Sequence, residues 1–132
     1  MYGLIWLAFL EVLLELFPVL GQSITLPIHG FLGIVILAFA FYTQRALRAT
    51  SCPDRIKRIT RTTMGLAVFQ GILGLALAAG IMLSWGSLYT TIVTLLHVAN
   101  ALAIITQASS SATAFDMWEE KEFELPQPTR PA

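Results

Sequence analysis

Two histidines, His29 and His97, are the chain's only ones, and both lie in otherwise uncharged, apolar stretches. Ionisable side chains inside a membrane are costly and mark candidate functional sites by default. His29 lies about four residues inside the second predicted helix and His97 about eight inside the fourth, or ~6 Å and ~12 Å at 1.5 Å per residue. Both distances are measured from the same end of the bundle, because these two helices run in parallel. The imidazoles are therefore expected at a comparable depth.

Two imidazoles that face each other inside a helical bundle suit haem iron especially well. The iron accepts one neutral nitrogen on each face, and the flat porphyrin fits between helices. The sequence therefore predicts one haem b with His29 and His97 as axial ligands. Nearby glycines that would admit the porphyrin, and an amide that would tune the site, are Gly33, Gly71, Gly74 and Gln70. A pigment such as chlorophyll, or a purely structural role for the histidines, stays an alternative, because small-residue stripes are also ordinary packing surfaces.

Two carboxylates, Glu11 and Glu15, share one face of the first predicted helix because they are four residues apart. Glu15 is expected at the level of the histidines. Ionising both carboxylates so close together in lipid has a high free-energy cost. Their candidate roles are a proton relay, a partner for quinol, and a hydrogen-bond acceptor that orients an imidazole. Contact between Glu11 and a partner subunit is the alternative.

The charge distribution predicts the helices that position these residues. Of the 132 residues 56% are hydrophobic and only 12% are charged, too few for a soluble domain. Residues 16–44 and 62–115 contain no Asp, Glu, Lys or Arg, and one crossing needs about 20 apolar residues. The sequence predicts an all-α integral membrane four-helix bundle over residues 1–115. Its expected spans are residues 2–20, 25–47, 62–84 and 88–113.

The basic residues predict the orientation of this bundle. Six of the eight lie between the second and third helices: Arg45, Arg48, Arg55, Lys57, Arg58 and Arg61. The positive-inside rule places loop 48–61 in the cytoplasm, and four crossings then leave both termini there. We expect a multi-pass protein of a bacterial or archaeal plasma membrane. The net charge of zero argues against a nucleic-acid partner.

The last segment, residues 116–132, differs from the rest of the chain in composition. It is acidic and then proline-rich, and it cannot bury enough apolar area to fold alone. We expect an extended cytoplasmic tail that is either solvated or docked onto a partner subunit.

Three short motifs resemble one four-helix half of heme A synthase: HGFLG at residues 29–33, QGILG at 70–74 and HVANAL at 97–102. The resemblance covers about residues 26–110. It implies a histidine near the outer end of the second and fourth helices, with a haem between them. The family's catalytic half has a glutamate three residues before the second-helix histidine and an arginine after it, where this chain has Leu26 and Gly30. The resemblance therefore implies the haem-holding scaffold more than the enzyme.

Together these features predict a small membrane b-type cytochrome that transfers single electrons. Its expected partners are membrane lipid and the other subunits of a respiratory or photosynthetic complex, and a quinone is a further candidate. A heme A synthase-like enzyme that modifies or delivers haem is the first alternative. The second is a cofactor-free subunit that holds a complex together.

Overall fold

The described residues form an all-helical bundle of four helices. The computed structural model describes residues 1–16 and 21–124, which form α1 (Tyr2–Leu16), α2 (Gln22–Arg48), α3 (Asp54–Met82) and α4 (Ser87–Glu124). Both α1 and α3 pack against α2 and α4. Helices α2 and α4 are therefore diagonal across the bundle, and residues that meet between them lie in its interior. We call the end with the α2–α3 loop the loop end and the end with the α3–α4 turn the turn end.

Three of the four helices, α2, α3 and α4, are long and apolar enough to cross a membrane. The outward surface carries large apolar side chains along its length, among them Leu26, Ile34, Leu75, Leu88 and Leu95. Such a surface is typical of contact with lipid and not with water. The bundle is accordingly a membrane-embedded one. The described part of α1 has 15 residues, and residues 17–20 of its predicted span lie outside the described residues.

Helix α3 begins earlier than predicted, at Asp54 instead of residue 62. Pro53 precedes the helix and Asp54 lies in its first turn, where a negative charge is favourable. Ile56, Thr60 and Thr63 are buried at helical spacing and hold this segment against the bundle. The expected loop 48–61 is thus helical from residue 54, and only residues 49–53 separate α2 from α3.

Helix α4 continues to Glu124, beyond the predicted span 88–113. Residues 116–124 are therefore helical and not extended, and residues 125–132 lie outside the described residues. Phe115 and Trp118 pack against a buried cluster formed by Leu47, Cys52 and Ile56. These apolar contacts stabilise the helical segment, whose acidic composition alone would favour an unfolded tail. Trp118 thus packs against the bundle of its own chain.

The apolar core lies towards the loop end of the bundle. Its buried residues come from all four helices: Leu4, Ala8, Ile36, Ala40, Ala67, Ile104 and Ala108. Along each helix that carries a candidate site residue, these positions are nearer the loop end than Glu11, His29, Gly74 and His97. The candidate site residues therefore lie directly above the packed core, on its turn-end side.

At the turn end, α3 and α4 are joined by a close contact between Gly80 and Tyr89. The turn uses two residues with positive φ, Ser84 at 54° and Gly86 at 92°. The Tyr89 hydroxyl donates a hydrogen bond to the Ala76 carbonyl oxygen at 3.1 Å. The Tyr89 ring lies directly on Gly80, so a Cβ there would overlap the ring.

We expect Gly80→Ala to destabilise the bundle by ~1–3 kcal/mol, because the new methyl group displaces the Tyr89 ring and its hydrogen bond. Gly65→Ala is the matched control on the same helix, since a Cβ at Gly65 has nothing within 4 Å. Thermal unfolding in detergent, followed by circular dichroism, compares the two. An unfolding temperature for Gly80→Ala that equals or exceeds that of Gly65→Ala would show that the contact is unimportant.

Candidate functional site

His29 on α2 and His97 on α4 meet across the bundle. Their ring centroids are 6.0 Å apart and their planes are inclined by 52°. Because α2 and α4 are diagonal partners, the rings approach each other in the interior, and both side chains are half-buried. The structure thus brings together the two residues that the sequence singled out.

The spacing of the two rings is close to what a single metal ion between them requires. A metal–imidazole bond is about 2 Å long, and two such bonds with the rings' own half-widths place the centroids about 6 Å apart. Haem iron needs only these two ligands from the protein, because the porphyrin supplies the other four. The observed 6.0 Å is in this range.

The two carboxylates of α1 lie beside His29, and they differ in burial. Glu11 is only 8% exposed, and its carboxylate is in contact with Nδ1 of His29. Glu15 Oε1 is 3.7 Å from the same nitrogen, and the Glu15 side chain is 61% exposed. The sequence placed Glu15 at the level of the histidines, and the structure puts it within 4 Å of His29, but the nearer contact is with Glu11. The two glutamates share one face of α1, so the axial position of α1 against α2, which a single sequence does not fix, decides which of them is nearer.

His97 has a different environment. Its buried Nδ1 atom has no hydrogen-bond partner among the described residues and, unlike Nδ1 of His29, no carboxylate within 4.0 Å there. Gly74 on α3 lies against the ring, and a Cβ at that position would be 3.4 Å from His97 Cε1. Because Gly74 has no side chain, the His97 ring can lie directly beside the α3 backbone.

Gln70 takes part in a hydrogen-bond network one turn from His97 towards the loop end. The Asn100 side-chain Nδ2 donates to Gln70 Oε1 at 2.7 Å and to the Leu66 carbonyl oxygen at 2.9 Å. These bonds tie α3 to α4 directly below His97. The sequence analysis did not identify Asn100 as a site residue. A polar residue three positions after His97 in an apolar helix lies on the same face as His97, and this spacing could have identified it.

Two of the predicted glycines are not in contact with the histidines. A Cβ at Gly33 or at Gly71 would meet nothing within 4 Å, and both residues are exposed. On α3, Gly74 faces the interior beside His97 and the buried Ala67 faces it further towards the loop end, whereas Gly71 is exposed. Of the three glycines, the structure places Gly74 alone beside an imidazole.

Comparison of the chain with protein-family models, with curated proteins and with solved structures finds no match.

Proposed function

We propose that the protein is a small membrane b-type cytochrome in which His29 and His97 are the axial ligands of one haem b. The observation that carries the proposal is the approach of two imidazoles, from diagonal helices, to a centroid separation of 6.0 Å. When bound, the haem supplies one-electron transfer.

The chain's own residues would hold and orient this group. His29 and His97 would each present one ring nitrogen, and the contact with Glu11 would keep the His29 ring in a single orientation. Gly74 leaves room beside His97, while the exposed Gly33 and Gly71 would offer backbone surface to the porphyrin. The Gln70–Asn100 hydrogen bond would hold α3 and α4 together on the loop-end side of the site. The apolar core on the same side would exclude water from that direction.

The same proposal includes an orientation in the membrane. The basic residues of α2, α3 and their short loop favour a cytoplasmic loop end under the positive-inside rule, with both termini on that side. All four helices would then cross the plasma membrane of a bacterium or archaeon, and the histidines would lie in its outer half. Because the described residues hold a single candidate redox site, the electron would pass to another subunit of a respiratory or photosynthetic complex, or come from a membrane quinone.

The resemblance to heme A synthase supports the scaffold and not the enzymatic activity. Leu26 stands where the family's catalytic half has a glutamate, and its side chain is 70% exposed on the outward surface. We therefore propose electron transfer and not haem modification.

Expression in a haem-sufficient bacterial host and purification in mild detergent test this function. We expect about one haem b per chain, with the reduced-minus-oxidised absorption bands of a low-spin cytochrome b. Pyridine haemochrome analysis measures the haem type and its ratio to protein. A folded, colourless protein that also fails to bind added haemin would rule out the cytochrome and leave a structural subunit. Conversion of haem O to haem A in a host that lacks its own synthase would favour the enzyme.

A further inference from the structure

The two histidines differ in what holds their Nδ1 atoms. The Nδ1 atoms of both rings are buried without a hydrogen bond among the described residues, but Nδ1 of His29 is in contact with the buried Glu11 carboxylate, whereas Nδ1 of His97 has no carboxylate within 4.0 Å there. Histidines that bind a metal through one ring nitrogen commonly donate the other N–H to a carboxylate, which fixes the tautomer and the ring orientation. The pair is therefore asymmetric: only His29 has such a support.

We propose that Glu11 is a positioning residue that makes His29 the permanent axial ligand and leaves His97 exchangeable, so that a small neutral ligand binds on the His97 side. This inference rests on the proposed haem function. In the exchange, the bond between iron and the His97 imidazole breaks and a bond between iron and the incoming donor atom forms. The imidazole leaves as a neutral side chain, and no electron is transferred. Carbon monoxide and free imidazole are suitable probes of this site.

Burial and distance select Glu11 over Glu15 for the positioning role. Neither Glu11 carboxylate oxygen has a hydrogen-bond partner within the described residues, so the contact with His29 is the interaction open to it. Glu15 Oε1 is 3.7 Å from His29 Nδ1, beyond hydrogen-bond distance, and its side chain is mostly exposed. A buried acceptor holds a ring more firmly than an exposed one, because water does not compete for the N–H.

The surroundings of His97 favour its release. Gly74 contributes no side chain on the Cε1 side of the ring. Asn100, one turn along α4, is the amide that could have supported the imidazole, but its Nδ2 donates to Leu66 and Gln70 instead. Removing His97 from the metal would therefore break no hydrogen bond to its ring.

The first test needs no haem. Long-range ¹⁵N–¹H correlation spectra of the ¹⁵N-histidine-labelled apoprotein in detergent report which ring nitrogen carries the proton. We expect His29 to be the Nδ1–H tautomer in the wild type, in Glu11→Gln, whose amide oxygen still accepts, and in Glu15→Ala. In Glu11→Ala we expect a mixture of tautomers. A wild-type Nε2–H tautomer, or the same single tautomer in Glu11→Ala, would overturn the role of Glu11.

The second test uses the haem-loaded protein. We expect Glu11→Ala to weaken haem affinity by roughly 10–100-fold, as loss of a supporting carboxylate does in other metal sites, and Glu15→Ala to have a smaller effect. His97→Ala should keep haem in a high-spin form that binds carbon monoxide and is returned to low spin by added imidazole. His29→Ala should lose haem more readily. The reverse order of the two histidine variants overturns the assignment of the exchangeable side.

The outcomes separate the inference from the function on which it rests. A wild-type protein that never binds haem contradicts the cytochrome and the ligand exchange together. The tautomer of His29 in the apoprotein is decided independently, so a haem-free protein with an Nδ1–H His29 still retains Glu11 as its positioning residue.

Discussion

The double substitution His29→Ala/His97→Ala is expected to abolish haem binding, so that the purified protein is colourless. Neither alanine side chain can bind iron, and the sequence contains no other histidine that could replace His29 or His97. Each single substitution should remove the low-spin absorption bands, because one of the two axial bonds is lost. Haem-to-protein ratios from pyridine haemochrome analysis, measured on detergent-purified protein, check both expectations.

Leu96→Ala is the matched control for this prediction. Leu96 precedes His97 on α4 and is 50% exposed, so its truncation leaves the bundle interior unchanged. It should retain the wild-type haem ratio and spectrum. If the double histidine variant stays helical by circular dichroism and still carries low-spin haem at the wild-type ratio, the two histidines are not the ligands.

Gly74→Leu should have the second-largest effect, a loss of most bound haem. A Cβ at this position lies 3.4 Å from His97 Cε1, and the further atoms of leucine would occupy the place of the imidazole. We expect an overpacking cost of ~1–3 kcal/mol and displacement of the ring from its position opposite His29. Gly74→Ala, which reaches only ordinary van der Waals contact, should bind haem almost normally. The spin state and haem content of the two variants are the measurements.

Two other glycines of α3 provide the comparison. A Cβ at Gly65 or at Gly71 meets nothing within 4 Å, so leucine at either position should leave folding intact. Gly65→Leu, towards the loop end, should also leave haem content intact. Gly71→Leu should lower haem content if the porphyrin lies along this open face of α3. Normal haem binding by Gly74→Leu would contradict the prediction, because it would show that the leucine does not displace the His97 ring from its position.

The sequence predicted the four helices because lipid imposes long uncharged segments, which can be counted directly. It placed the ends of α3 and α4 wrongly for a common reason. Asp54 to Arg61 and Asp116 to Glu124 are polar segments, and charge alone marks them as loop or tail. Both are helical in the structure because apolar residues within or beside them, Ile56 in one and Trp118 in the other, pack on the same cluster. Such tertiary contacts are not visible in composition.

The approach of His29 to His97 could be anticipated from their depths, because rise per residue and helix direction follow from the sequence. The neighbours of the two rings could not. Whether Glu11 or Glu15 contacts His29, and whether Gly71 or Gly74 lies beside His97, depends on the axial positions of α1 and α3 as well as on their rotation. A shift of about one helical turn exchanges one residue for the other, and small-residue stripes leave the register between helices poorly determined. Asn100 illustrates the same limit, since its pairing with Gln70 depends on the register of α3 against α4.

Pulsed EPR spectroscopy of the oxidised protein, labelled with ¹⁵N-histidine, reports directly whether His29 and His97 bind one haem iron. If two imidazoles bind one iron, the ferric protein gives a low-spin signal with hyperfine couplings to the nitrogens of two histidines. His97→Ala then retains coupling to one histidine only. A haem signal coupled to fewer than two histidine nitrogens in the ligand-free wild type, or no haem signal from folded protein exposed to haemin, contradicts the account.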